Sequence, residues 1–404
     1  MAMADQPAGK SFRLSMLLYD TRYRSITIQV IMLLAFIASV VWLLDNMYTN
    51  LAKADKDPDF GFLSSSAGYD INQRLIEYTS QSTHARAWLV GLLNTLLVAF
   101  LGCILATVLG VSIGVMRLSK NWIVSRLMTV YVESFRNVPV LLWIVFAMSI
   151  FIDQFPQPKD FRGDNATASM VLDSVAFTNR GWYIPKPEFG AGSMVVVGVF
   201  LASIIGIFLF GKWAKARQEA TGDILPTFWI KLGILIVPAV AAYFIMGQPI
   251  TLDYPVLKGF NFKGGLHLRN SLIALWIALS LYTAAFIAEA VRAGILAINK
   301  GQSEAAAALG LRQKRVMNLV VLPQALRVII PPLISQYLNI TKNSSLALAV
   351  GYMDVTATLG GITLNQTGRA LECILLLMIT YLTISLTIST VMNVYNNSVK
   401  LKER

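Results

Sequence analysis

Histidine and cysteine are nearly absent from this chain, with two of each among 404 residues: His84, His267, Cys103 and Cys373. Both cysteines lie inside apolar stretches, which excludes a disulfide framework and leaves too few ligands for a metal centre. Charge is sparse as well. Lys, Arg, Asp and Glu supply 14% of the residues against 55% apolar ones, a balance that does not fit a soluble globular domain. The net charge of +12 would suit nucleic acid, yet there is no basic run of five residues and no basic patch interleaved with aromatics. No nucleic-acid partner is expected. Tandem repeats and low-complexity tracts are missing too, and with no clustered set of catalytic side chains no catalytic residue is assigned.

What the chain has instead is long apolar sequence. Runs at 26–44, 88–116, 138–152, 192–211, 228–246, 271–297, 328–350 and 370–393 are candidates for crossing a hydrocarbon core of roughly 30 Å. The run at 138–152 is short and is expected to borrow residues 130–136. The first run follows a polar stretch with Lys10, Arg13, Arg22 and Arg24, and Asp45-Asn46-Met47 offers no small-x-small cleavage site. It reads as an uncleaved anchor helix. The expected fold class is all-α, a polytopic membrane protein with about eight transmembrane helices.

Eight crossings put both termini on one side. The loops at 1–25, 117–137, 212–227, 298–328 and 394–404 hold nineteen Lys and Arg, whereas the alternate loops at 45–87, 153–191, 247–270 and 351–369 hold twelve in a greater total length. By the positive-inside rule the first set, with both termini, faces the cytoplasm. The longer external loops have room for short surface helices but not for a folded substrate domain.

One loop of the cytoplasmic set carries a fixed spacing: Glu304, Ala305 and Ala306, then Gly310, then Val320, Leu322 and Pro323. Good helix formers fill 302–309, and the alanines at 305–308 leave a low surface that another backbone can approach. Ser303 is a candidate N-cap. Gly310 permits a left-handed stop, residues 312–321 can form a second short helix, and Pro323, lacking a backbone donor, suits the start of a new one. Glu304 can pair with Arg312, Lys314 or Arg315, or with a cation on another protein. Without the fixed spacing the same residues would make an ordinary connector.

Charges inside apolar runs mark a candidate polar path. Glu289 and Arg292 share a helix face, so structural pairing and solute contact both stay open. Lys342, beside Asn343, Ser344 and Ser345, can hold a carboxylate or can bond carbonyls where a helix is broken. Glu372 and Lys231 are expected to snorkel. Gly102, Ala106, Gly110 and Gly114 recur every four positions as a small-residue stripe for helix packing. The Gly110-Val111-Ser112-Ile113-Gly114 string imitates a hydrolase elbow with no His or Asp nearby, and Gly9-Lys10-Ser11 imitates the end of a phosphate loop with Ala4 in place of its first Gly. An ion-gradient-driven secondary transporter using Glu289, Arg292 and Lys342 is the alternative from another class, although no inverted repeat is evident.

The Glu304 to Pro323 spacing resembles the coupling loop of importer-type ABC transporter permeases, with Val320 where that family more often has Ile. Further matches at Asn94-Thr95-Leu96, 131–139, 288–295, Lys300-Gly301-Gln302, 322–327, Pro331-Pro332 and 342–346 are similar to polar amino acid permeases of the histidine and glutamine type. Asn137-Val138 and Asn343-Ser344 depart from that pattern.

The resemblance implies a permease core in two parts, 88–152 and 270–395, the latter containing the coupling loop 298–325. Around the core it implies an anchor and periplasmic loop within 1–87, an inserted helical hairpin within 153–269, and a cytoplasmic tail at 396–404. The longer form looks most like the larger permease of general L-amino acid importers. The implied role is a non-enzymatic subunit of an ATP-driven L-amino acid importer in a bacterial inner membrane. Gly301, Gln302, Glu304, Ala305, Ala306, Gly310, Leu322 and Pro323 would engage separate ATPase subunits, which bind ATP and Mg while this chain binds no cofactor. A different second permease chain and a periplasmic amino-acid-binding protein are the other implied partners. An ABC permease for another small polar solute remains an alternative.

Overall fold

The computed structural model describes residues 19–53, 58–163, 166–223 and 225–399. The Gly9-Lys10-Ser11 string and residues 400–404 lie outside them. The chain divides into two units, Met1–Leu63 and Ser64–Arg404. The first contains α1 (Thr21–Lys53), of which Tyr23–Lys53 is long and apolar enough to cross a membrane. The second contains α2 (His84–Met116), α3 (Trp122–Asn137), α4 (Val140–Asp153), α5 (Ser193–Thr221), α6 (Thr227–Ile245), α7 (Asn270–Leu296), α8 (Lys300–Ala308), α9 (Gln313–Val316), α10 (Leu322–Asn343), α11 (Leu364–Thr367) and α12 (Ala370–Val399).

Small residues bring the central helices together. A Cβ at Gly110 of α2 would meet Ile287 of α7, and one at Gly114 would lie 2.7 Å from the Ala288 carbonyl oxygen. Numbers rise together along both helices, so α2 and α7 run parallel, as two crossings separated by an odd number of others must. A Cβ at Gly102 of the same stripe would instead lie 2.7 Å from Ile340 of α10, and Ala106 is fully buried. Val98, Ile144, Leu279, Ile287 and Ile340 join α2, α4, α7 and α10 in one buried cluster, with α12 packed on α10. Close backbone approach of this kind is what holds helices together where lipid removes the hydrophobic drive.

The run at 138–152 does not extend in line through 130–136. α3 and α4 meet at 107°, so the described residues hold seven helices fit to cross a membrane, or eight if that bent pair is one span. Val138 is extended, φ −109° and ψ 134°, because Pro139 disfavours the helical region for the residue before it. α4 alone has 14 residues, about 21 Å. Residues 130–136 lie against α7 instead, where Val132 is buried and the Tyr131 hydroxyl donates to Leu281 O at 2.6 Å.

α5 and α6 pack chiefly on one another. The loops flanking them form strands rather than only surface helices: β1 (Ala176–Thr178), β2 (Gly181–Ile184), β3 (Lys186–Phe189), β4 (Ile250–Asp253), β5 (Val256–Lys258), β6 (Asn261–Lys263) and β7 (Leu266–Arg269). They pair antiparallel as β1-β2-β7, β3-β4 and β5-β6, with Trp182 opposite Leu268 and Phe189 opposite Ile250. One short helical turn, Pro158–Phe161, is present. Ala176, Tyr183 and Phe262 form the buried centre of this platform. Strands of three or four residues are too short for alternation to register in sequence.

Candidate functional site

Three residues separate the end of α7 from the start of α8. Asn299 caps it, its side-chain oxygen accepting from Gly301 N at 2.9 Å, so Ser303 lies inside the helix rather than capping it. Gly310 ends the turn at φ +79°, a conformation that costs most L-residues about 1–2 kcal/mol. Its N–H donates to Ala307 O at 2.9 Å and Leu311 N donates to Ala306 O at 3.3 Å. The helix is closed at both ends by its own backbone and one side chain.

Ala306 seats it. That residue is 6% exposed and packs with Val316, Val321, Ile295 and Ile298, at the end of α7 and the root of α10. Gly301, Gln302, Glu304, Ala305 and Leu309 face outward, with Leu309 83% exposed. Glu304 makes no ion pair with Arg312, Lys314 or Arg315 among the described residues. The outward face is therefore shallow and carries one free carboxylate.

No new helix begins cleanly at Pro323. α9 runs through five π-helical residues, Met317–Val321, into α10, with Leu322 and Pro323 in its first turn. A proline within a helix clashes with the carbonyl four residues back, and the wider π turn lets the chain pass through it unbroken.

The path candidates fall into two groups. Lys342 is exposed in the last turn of α10, and its ammonium has no partner among the described residues. Ile340, two residues earlier, touches Gly102 at the middle of α2, so Lys342 lies near mid-depth of the core. Ser344 Oγ donates to Thr341 O and Ser345 Oγ to Lys342 O, both at 2.7 Å. These hydroxyls occupy carbonyls freed as α10 tightens into the 3-10 turns of Ser344–Val350; Asn343 beside them is half-buried.

Glu289 and Arg292 sit elsewhere, with Arg292 Nη2 donating to Glu289 Oε1 at 2.6 Å. Ser280, the α7 residue level with Gly102, precedes Glu289 by nine positions, about 14 Å of helix. They do not meet Lys342. Nor does Glu372 snorkel: its side chain is 6% exposed and pairs with Arg369 at 3.4 Å, because neighbouring helices bury it. Lys231 is half-buried against Gly211 of α5. Among the described residues no group of three or more His, Cys, Asp and Glu could hold a metal.

Residues 106–400 match the family model described as binding-protein-dependent transport system inner membrane component. The chain belongs to that family. This permease is 56% identical over 428 residues to the glutamate/glutamine/aspartate/asparagine transport system permease protein BztB of Rhodobacter capsulatus, covering all of both chains. It is 46% identical over 397 residues to the general L-amino acid transport system permease protein AapQ of Rhizobium johnstonii, covering 98% of this chain and 96% of that one. It is also 30% identical over 175 residues to the permease protein BztC of the same R. capsulatus transport system, covering 42% and 38%.

One polar centre of the permease escaped sequence reasoning. Asp354, fully buried between the runs of α10 and α12, accepts from Ala357 N at 2.8 Å and from the Tyr381 hydroxyl at 3.2 Å. Burial pushes its carboxyl up to about 6. Around it the segment after α10 is tied to α2. Asn94 Nδ2 donates to Gln73 O at 2.8 Å and Met353 O at 2.9 Å, the Tyr352 hydroxyl donates to Asn94 O, and Val355 N donates to Thr95 Oγ1. A signal was present: Asp354 is the one acidic residue between Glu304 and Glu372.

Proposed function

We propose that this chain is the membrane-spanning permease subunit of an ATP-driven importer for L-amino acids. The observation that supports coupling is α8 itself, a short helix capped at both ends, seated by Ala306 and offering a glycine-and-alanine face with the free Glu304 carboxylate. A groove on separate ATPase subunits, which bind ATP and Mg, grips that face. Because α8 rests on Ile295 at the end of α7 and on Val316 and Val321 at the root of α10, a push on it enters two core helices at once.

The amino-acid assignment rests on the relatives, whose names specify glutamate, glutamine, aspartate and asparagine or general L-amino acids. The partner permease is a different chain, since BztB and BztC are separate permease proteins of one transport system. A soluble binding protein delivers solute on the outer side, and both termini and α8 lie in the cytoplasm of a bacterial inner membrane. Lys342 faces the solute path or the second permease rather than lipid, where a lysine at mid-depth would cost roughly 2.5–3.5 kcal/mol. A cation there suits a substrate carboxylate.

Proteoliposomes holding both permeases and the ATPase, with ATP enclosed and binding protein outside, test this reading. Amino acid uptake that requires ATP and survives collapse of proton and sodium gradients is the expected result. Uptake that ignores ATP and follows an ion gradient would sink it, and uptake of only a different polar solute would sink the amino-acid part.

A further inference from the structure

Five charges from three helices converge where α2 ends. Arg117 is the C-cap of α2, Glu133 and Arg136 lie on α3, and Glu289 and Arg292 on α7. Glu289 is the hub. Arg292 donates to its Oε1, Arg117 pairs with its Oε2, and Arg136 Nη1 stands 4.0 Å from the same oxygen, while Arg117 also reaches Glu133 at 3.9 Å. The Arg117 side chain is 8% exposed, so removal of the carboxylate would leave guanidinium groups facing one another in a partly buried site. Arg136 is tied to α7 a second time, its guanidinium lying 5.4 Å from the centre of the Phe286 ring.

The position of this hub matters more than its strength. Ile295, on which α8 is seated, follows Glu289 by six residues, about 9 Å of helix. A push arriving through Ile295 either bends the end of α7 or moves α7 together with whatever is fastened to it. The arginines on α2 and α3 are that fastening.

We propose that Glu289 is a positioning residue that locks the ends of α2 and α3 to α7, so that all three helices move as one body with α8. In this role Glu289 and Arg292 engage one another and Arg117, and not the solute. The inference rests on the reading of the chain as an ATP-driven permease, and deepens it.

The test is amino acid imported per ATP hydrolysed by the assembled complex in proteoliposomes. Glu289→Gln keeps the shape and removes the charge, and is expected to lower that ratio at least about fivefold while ATP hydrolysis continues, the lower end of ordinary coupling between sites. Glu289→Asp retains a carboxylate for the surrounding arginines and is expected to keep the ratio within about twofold of the unaltered complex. If Glu289→Gln fails to assemble, Arg136→Gln loosens the same tie at a side chain that is 34% exposed, and about a twofold fall is expected. A purely structural ion pair would change the amount of complex but not the ratio. An unchanged ratio in whichever of Glu289→Gln and Arg136→Gln assembles, or a Glu289→Asp complex no better coupled than Glu289→Gln, overturns the proposal. Absence of ATP-dependent uptake in the unaltered complex would instead overturn the reading beneath it.

Discussion

Gly110 of α2 and Ile287 of α7 approach so closely that a Cβ at position 110 would stand 2.6 Å from Ile287 Cβ and 3.0 Å from Ala284 O. Both neighbours are backbone or branch atoms of a buried helix, with no flexible end to swing aside. Gly110→Ala should therefore wedge the two helices apart and destabilise the subunit by about 1–3 kcal/mol. Gly198→Ala on α5, with nothing within 4 Å, should leave stability unchanged or slightly raised. Thermal midpoints in detergent separate the two, and equal midpoints would remove the packing role of the stripe.

Gly310→Pro forces the closing residue of α8 out of its left-handed conformation, and Glu304→Lys reverses the charge of its outward face. Either variant should insert normally yet lose uptake by at least about tenfold, because the damage falls on a surface and not on the core. Membrane abundance and transport are measured on the same vesicles. Normal uptake by both would count heavily against α8 as the docking element.

Lys342→Met keeps the length of the side chain and removes the cation. Uptake should fall at least about tenfold with the complex still assembled, since a charge-assisted bond to a carboxylate contributes roughly 1.5–3 kcal/mol. Lys342→Arg should retain part of it. Unimpaired transport by Lys342→Met would place this residue outside the solute path.

Asp354 predicts a pH dependence of stability. Its carboxyl is pushed up to about 6 by burial, against the backbone N–H groups and the Tyr381 hydroxyl that favour ionisation. Between about pH 4 and 6 the folded state thus binds more protons than the unfolded state, so stability falls as pH rises through that window and is level above it. Asp354→Asn removes this titration. The stability of the unaltered protein relative to the variant should drop between about pH 4 and 6, and parallel curves for the two proteins would show that Asp354 does not titrate there.

The side on which α8 lies can be read directly. With Cys103 and Cys373 replaced by serine, a single cysteine at Leu309, 83% exposed, should react with an impermeant thiol reagent only from the cytoplasmic face. Reaction from the outside in intact cells would put α8 beyond the reach of any ATPase.

Much of this was legible because it is local or compositional. Apolar length marks spanning helices without reference to any partner. The Glu304 and Gly310 spacing was readable because a helix and its stop are set by neighbours in the chain. The elbow at Val138 was missed, although the proline signal was there, since apolar length alone favoured a straight span. The strands were missed because three or four residues carry no measurable period.

By itself the sequence determined a mostly helical membrane chain with a small-faced helix between two of its long runs, because membrane solvation and helix capping act residue by residue. Only the tertiary structure decided that Glu289 answers to Arg117 and Arg136 as well as Arg292, that Lys342 stands free at mid-depth, and that Asp354 is sealed among Ala357, Tyr381 and Thr356. Arg117 lies 172 residues from Glu289 along the chain. It comes within reach only when the glycine stripe lets α2 close on α7.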